Sequence, residues 1–325
     1  MKILVTGAGS LIGQGIIRSL FLSKIKFNLY TSDYFNNVVG RYWSKKFFIL
    51  PDFLKKNISE KKFIDEILFI LKKHKIDLLI PGIDFELPLF IKYKKIIESN
   101  TNTRILINND HVIKIGNDKW ETYKFLKNNN FFYPKSFLPS DLKILKKIKF
   151  PLIIKPRFGN TSKDVYLIKD EVSLNKALKK VNKPIIQEYI SGENKEYTCS
   201  SSYVDNKILS IICLKRTLKN GNTISASHEK NKNLDEYIKK ITLQLQPQGV
   251  TNFQLRLSKK GPIIFEINPR FSGTTPIRAL FGVNEVEATI NKMFYNKNTV
   301  FKKKYGLIMR YTTDYFVPLA KSKLK

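Results

Sequence analysis

Residues 250–268 leave the backbone few choices. The run Val250-Thr251-Asn252-Phe253-Gln254-Leu255-Arg256-Leu257 is followed by Ser258-Lys259-Lys260-Gly261 and then by Pro262-Ile263-Ile264-Phe265-Glu266-Ile267-Asn268. Two alternating runs around a short Gly-containing turn predict an antiparallel hairpin. Period two puts Glu266 and Asn268 on one face and Phe265 and Ile267 on the other. With Lys260 at the turn centre, Gln254 lies opposite Glu266 and Asn252 opposite Asn268. Oxygen donors then gather on one face of an otherwise apolar sheet. Hard cations such as Mg²⁺ take that donor set, with substrate phosphates completing the shell. Arg270 follows and reaches the same anion. Polar groups on a strand flanked by Ile263, Ile264 and Ile267 need a partner, which sets this pattern apart from an ordinary solvated sheet face.

The chain has 325 residues, enough for two domains with ample core. No run of about 18 apolar residues occurs, so no membrane span is expected. The start Met1-Lys2-Ile3-Leu4-Val5-Thr6-Gly7 is too soon broken by glycine to read as a signal peptide. Cys199 and Cys213 lack Cys-x-x-Cys spacing and read as inert strand residues. These features predict a cytoplasmic protein. Fifty-eight basic and 27 acidic residues leave a charge of +31, but the lysines are spread along the whole chain. Abundant Lys, Ile, Asn and Phe match AT-rich coding. Nucleic-acid recognition needs clustered cations or base-reading arginines, which are not found here. The charge is read as a general attraction for small anions.

From residue 1 to about 110, strand and helix alternate. Lys2–Thr6, Phe27–Ser32, Asp77–Ile80 and Arg104–Ile107 read as buried strands; Leu11–Leu22, Lys61–Lys73 and Glu86–Ile97 read as helices. That order predicts a parallel, doubly wound sheet. Helices follow at Val112–Ile115 and Asp118–Asn128. Strands then crowd together at Pro151–Lys155, Asp164–Ile168, Pro184–Tyr189, Glu196–Val204 and Lys207–Leu214, with helices at Glu171–Val181 and Leu234–Gln246. A second, α+β unit therefore begins near residue 112.

Two segments compete as phosphate sites. Gly7-Ala8-Gly9-Ser10-Leu11-Ile12-Gly13 links the first strand to the first helix, with Asp33 ending the second strand. That arrangement suits a dinucleotide and an NAD(P)-dependent sugar reductase or epimerase, although the glycine spacing is off and no Tyr-x-x-x-Lys pair follows. The other segment is Phe150-Pro151-Leu152-Ile153-Ile154-Lys155-Pro156, then Arg157-Phe158-Gly159-Asn160-Thr161-Ser162-Lys163-Asp164. A lysine at the end of a buried strand is costly without an anion. The loop after it, bearing Thr161 and Ser162, can cover phosphates with amides and hydroxyls. The strand Ile185-Ile186-Gln187-Glu188-Tyr189-Ile190 could present backbone to an adenine, with Glu196 on ribose hydroxyls.

In order, Asn117-Asp118-Lys119, Ile154-Lys155-Pro156-Arg157, Gln187-Glu188-Tyr189-Ile190, Glu196-Tyr197-Thr198, Gln254 and Glu266-Ile267-Asn268-Pro269-Arg270 resemble the ATP-grasp superfamily. The resemblance is to its carbamoyl-phosphate-synthase-like members, ATP-dependent carboxylate–amine ligases. It implies an α/β Rossmann-like domain over 1–111 and an α+β ATP-grasp domain over 112–325. The latter divides into 112–183, carrying the lid, and 184–325, carrying the metal site. It implies Lys119, Lys155, Thr161 and Ser162 on ATP phosphates, Gln187, Glu188, Tyr189 and Ile190 at adenine, and Glu196 at ribose. Gln254, Glu266 and Asn268 would hold Mg²⁺ or Mn²⁺, with Arg270 and Lys155 catalytic. The partners implied are a small carboxylate and an amine or ammonia, and a homodimer is left open. Lys215, Arg216, His228 and Arg278 are substrate-pocket candidates. Two departures stand out: the lid lacks two glycines usual in relatives, and there is a single ATP-grasp unit.

Overall fold

The structure, a computed structural model, describes residues 1–141, 149–159, 164–191 and 196–318. Strands β1 (Lys2–Val5), β2 (Asn28–Asp33), β3 (Lys46–Ile49), β4 (Leu78–Ile80) and β5 (Arg104–Ile105) form a parallel sheet in the order β3-β2-β1-β4-β5. Helices α1 (Leu11–Phe21), α2 (Glu60–His74) and α3 (Leu87–Asn100) connect them. Side-chain alternation decides which helix covers which face. Leu4, Tyr30 and Leu79 pack with Phe63, Ile67 and Phe90 of α2 and α3. Ile3, Val5, Leu29, Leu78 and Ile80 pack with Ile16, Ile17 and Leu20 of α1. The predicted doubly wound arrangement is present; β3 was not anticipated from the sequence.

After α4 (Asp110–Asn117) and α5 (Lys119–Asn128), a four-stranded antiparallel sheet is built from β6 (Ser136–Phe137), β7 (Leu152–Pro156), β8 (Tyr166–Ile168) and β9 (Pro184–Glu188), with α6 (Glu171–Lys180) on its face. β9 pairs with β7 and β6, so this sheet continues past residue 183, where the sequence reading divided the subdomains. A six-stranded antiparallel sheet follows, in the order β14-β13-β10-β11-β12-β15. Its strands are β10 (Glu196–Val204), β11 (Lys207–Lys219), β12 (Asn222–His228), β13 (Gly249–Ser258), β14 (Gly261–Asn268) and β15 (Gly306–Met309). Helix α7 (Lys232–Leu245) covers one face; α8 (Thr275–Leu280) and α9 (Glu285–Tyr295) lie toward the other. Val286 and Ile290 of α9 complete the α1-side core of the parallel sheet, so one apolar cluster joins both halves of the chain. Asn284 adds a hydrogen bond to the Ser19 carbonyl at 2.8 Å.

The hairpin of β13 and β14 pairs as expected, Gln254 with Glu266 and Asn252 with Asn268, but by another route. The turn is the two residues Lys259-Lys260 between paired Ser258 and Gly261, half a residue from the predicted centre. A bulge restores the pairing: Leu255 faces Ile264 and Gln254 faces Glu266, leaving Phe265 as the extra residue. Ile264 and Ile267 consequently both enter the core, while Phe265 shares the opposite surface with Glu266. The expectation that Phe265 points away from Glu266 is thus corrected.

At the crest of the parallel sheet, Glu86 is completely buried, accepting hydrogen bonds from the Thr6 hydroxyl and, at 2.8 Å, from the Tyr34 hydroxyl. Burial pushes its carboxyl up to about 7, and Asp33 adds to the rise while the two hydrogen bonds oppose it. A raised folded-state value means that the native state binds the extra proton. The stability that Glu86 contributes is fully present below pH 4.5 and is lost as pH rises through 7. Glu86→Gln is expected to raise Tm relative to wild type at pH 8 and to leave it unchanged near pH 4, as read by calorimetry.

Candidate nucleotide and metal site

A cavity of about 520 Å³ opens between the four-stranded and six-stranded sheets. Lys155, at the end of β7, and Lys119, at the start of α5, enter it from one side; β13 and β14 form the other wall. Lys155 is 9 % exposed and Lys119 7 %. Burial pushes the Lys155 ammonium down to about 8; Glu266 pulls it back up, and Lys119 and Arg256 depress it further. Lys119 is lowered for the same first reason, burial, against the attraction of Glu266, Asp118 and Asp84. Two crowded cations facing one carboxylate leave room for an anion.

Local hydrogen bonds fix these lysines. Asp118 caps α5 by accepting from the Trp120 amide at 2.9 Å, and Arg157 binds the same carboxylate through two bonds of 2.7 and 2.6 Å. Asp118 also bridges to Phe158. The Asn117-Asp118-Lys119 and Lys155-Pro156-Arg157 motifs are therefore one unit, and the Lys119 ammonium donates to the Gly159 carbonyl beside it. Thr161 and Ser162 lie outside the described residues.

Gln187, Glu188, Tyr189 and Ile190 line the cavity. Two of their backbone groups are already committed: the Glu188 N–H donates to the Lys135 carbonyl at 2.8 Å, and the Ile190 carbonyl accepts from Arg256 at 2.6 Å. Gln187 donates to the Ser136 hydroxyl at 2.8 Å, which orients its amide. Glu196 lines the cavity bracketed by two arginines. Arg216 donates to one of its oxygens at 2.7 Å and Arg256 to the other at 3.0 Å. Arg256 and Phe265 are site residues that the sequence reading missed. Arg256 was legible, two positions along β13 from Gln254; Phe265 needed the bulge. The Phe265 ring lies 5.8 Å from the Lys155 ammonium nitrogen and 5.9 Å from the Arg256 guanidinium.

Of the expected metal ligands, Gln254 and Glu266 face the cavity from paired positions. Gln254 Oε1 accepts from Arg216 at 2.8 Å. Asn268 is 1 % exposed; its Oδ1 accepts from Arg270 at 3.2 Å and its Nδ2 lacks a partner among the described residues. Among the described residues no group of three or more His, Cys, Asp or Glu could hold a metal by itself. One carboxylate with amide oxygens fits a cation that arrives with phosphates supplying most of its ligands. Asn268 itself is not among the residues lining the cavity.

Arg270 is held away from the cavity lining. It forms a two-point ion pair with Asp84 of the N-terminal half, its Nη2 donating at 3.0 Å. Three of the substrate-pocket candidates do not line this cavity. Lys215 is exposed, because it and Arg216 are adjacent in β11 and take opposite faces. Arg278 is fully buried, bound by Glu285 at 2.8 Å, Thr274 at 2.7 Å and Ser272 at 2.8 Å. Buried His228 is bonded to the Lys304 carbonyl at 2.6 Å. Arg216 alone of this set reaches the cavity.

The glycine turn of the parallel sheet is filled by protein. Asp33 accepts from the Gly9 amide at 2.8 Å and from the Tyr34 and Phe35 amides at 2.7 and 3.1 Å. Gly7 adopts φ of +57°, and a Cβ at Gly13 would lie 2.1 Å from its carbonyl oxygen. Val38 packs against Gly9, and Gly40 against Ala8. Asp33 closes the turn instead of awaiting a ribose, and the nicotinamide reading is set aside.

Residues 116–274 match the family model of the ATP-grasp domain. The uncharacterized protein MG011 of Mycoplasma genitalium is 31 % identical over 179 residues, which are 53 % of this chain and 58 % of that protein. The carbamoyl phosphate synthase large chain of Caldanaerobacter subterraneus is 28 % identical over 183 residues, covering 51 % of this chain and 17 % of the relative. The chain thus spans about half the length of the first of these relatives and a sixth of the second. Among solved structures, N5-carboxyaminoimidazole synthetase from Staphylococcus aureus complexed with ADP shares the fold at a TM-score of 0.71 and 15 % identity, over 95 % of this chain and 79 % of that one. Motif order, sheet arrangement and family match agree over residues 116–274, the stretch that matches the ATP-grasp domain.

Proposed function

We propose that this chain is an ADP-forming ligase that joins a small carboxylate to an amine or ammonia through an acyl phosphate. The observation that carries the reading is the pair of buried ammoniums, Lys119 and Lys155, aimed into one cavity opposite Glu266 and Gln254. A buried cation pair of this kind recovers its desolvation cost when it meets phosphate oxygens. Tyr189 and Ile190 flank the base, and Glu196, oriented by Arg216 and Arg256, meets the ribose. Residues 1–111 and 112–325 are taken as the two domains of such an enzyme.

Gln254, Glu266 and Asn268 would hold Mg²⁺ or Mn²⁺, which when bound neutralises the charge on the β- and γ-phosphates. The acceptor carboxylate oxygen attacks the γ-phosphorus and ADP leaves. Lys155 and Lys119 neutralise charge as it shifts onto the leaving oxygens, so the step relies on positioning and electrostatics. Arg270, joined to Asn268 and paired with Asp84, lies outside the cavity lining and is assigned no step. The amine nitrogen then attacks the carbonyl carbon, phosphate departs with the C–O bond electrons, and the nitrogen loses one proton to the departing phosphate.

A screen of carboxylates and amines with MgATP, read by phosphate release, is expected to find an acceptor pair that yields ADP. Glu266→Ala should lower that turnover by about 10²–10³-fold. AMP as product, or full turnover in the variant, overturns the reading. Nucleotide affinity should also follow Lys155. Its free-state value near 8 means that binding above this pH requires proton uptake, so affinity falls by at most about tenfold per pH unit from pH 8 upward. Lys155→Arg, which does not titrate, should flatten that profile in calorimetric titrations between pH 6.5 and 9.5.

A further inference from the structure

Among the described residues three lysines are less than a tenth exposed: Lys119, Lys155 and Lys292. The first two share the cavity described above. Lys292, on the last turn of α9, lines a different cavity of about 660 Å³, which shares no lining residue with the first. This second cavity sits where α3 and β5 of the parallel sheet meet the turn after β10 and the end of α9. The Lys292 ammonium donates to the Asn296 side-chain oxygen, a neutral acceptor. Lys94 and Arg104 line the same cavity, and Arg104 donates to the Met293 carbonyl while lying 5.3 Å from the Phe294 ring.

None of these three cations takes part in an ion pair of the described residues. Two carboxylates are present, and both have neutral partners: Glu98 accepts from the Ile105 amide at 3.1 Å, and Asp205 from the Gln248 side chain at 3.3 Å. A buried ammonium without a counter-charge is costly, and the cost is offset when an anion supplies one. The volume suits a small metabolite. The rest of the lining that bears on recognition, Asn102 and Gln248, offers amide groups to hydroxyls.

We propose that this inter-domain cavity binds a small phosphorylated polar molecule, its phosphate held by Lys292, Arg104 and Lys94. The ligand would touch both halves of the chain at once. This inference is independent of the ligase reading, because it uses none of that cavity's residues.

The test is calorimetric titration of the full chain with glucose 6-phosphate and, separately, with inorganic phosphate. The expected result is saturable binding to wild type that persists in two control variants. The controls are Lys155→Met in the nucleotide cavity and Lys239→Met on the exposed face of α7. Affinity should fall at least tenfold in Lys292→Met and in Arg104→Gln, two variants used so that a folding defect in one does not decide the outcome. Equal binding of both probes assigns the site to phosphate itself; preference for the sugar phosphate assigns it to the ester; either supports the proposal. Absence of saturable binding, equal affinity in all variants, or loss in Lys155→Met with retention in Lys292→Met overturns it.

Discussion

The interaction on which the site depends is electrostatic: the Lys155 ammonium, buried at the end of β7, faces the Glu266 carboxylate across the cleft between two sheets. A single carboxylate faces two buried ammoniums; burial lowers both, and the attraction of Glu266 only partly opposes it. Most other features of the cavity serve to hold this arrangement. Arg157 and Asp118 bind the two lysine-bearing segments together. Arg216 and Arg256 occupy Glu196, so that acid is not free to compensate the lysines. The uncompensated charge is what carries the proposal that the cleft takes phosphate.

The same residues tie the cleft to the parallel sheet. Arg270 emerges from β14 and pairs with Asp84, two residues before the buried Glu86. Helix α9 carries apolar residues into the α1-side core. The N-terminal half is therefore part of the platform that orients the end of β14. Its own glycine turn, closed by Asp33 and by residues 38–40, is packed shut.

Much of this was legible because it is short-range. The β13–β14 pairing, the strand-borne Lys155 and the order of the motifs all follow from period-two alternation and turn chemistry. Helix α9 could also have been found, since Asn284 caps it and its side chain accepts from the Glu287 amide at 3.2 Å. Three of the substrate-pocket candidates miss the cavity for a different reason. Lys215 and Arg216 differ by one position, and that position decides which face of β11 each takes. Arg278 looked available as an isolated cation, but Glu285, Ser272 and Thr274 fold around it from a neighbouring turn and helix.

By itself the sequence determined the strand and helix order, the polar face of the hairpin and the residue types able to meet ATP and a divalent cation. Those features follow from local backbone geometry and side-chain periodicity. Only the tertiary structure decided that Phe265 turns in beside Glu266, that two arginines hold Glu196, that Asp84 holds Arg270 and that Lys292 is buried without a counter-charge. Each of these depends on segments distant in sequence approaching within hydrogen-bonding range or excluding water together, and burial of that kind is a property of the packed whole.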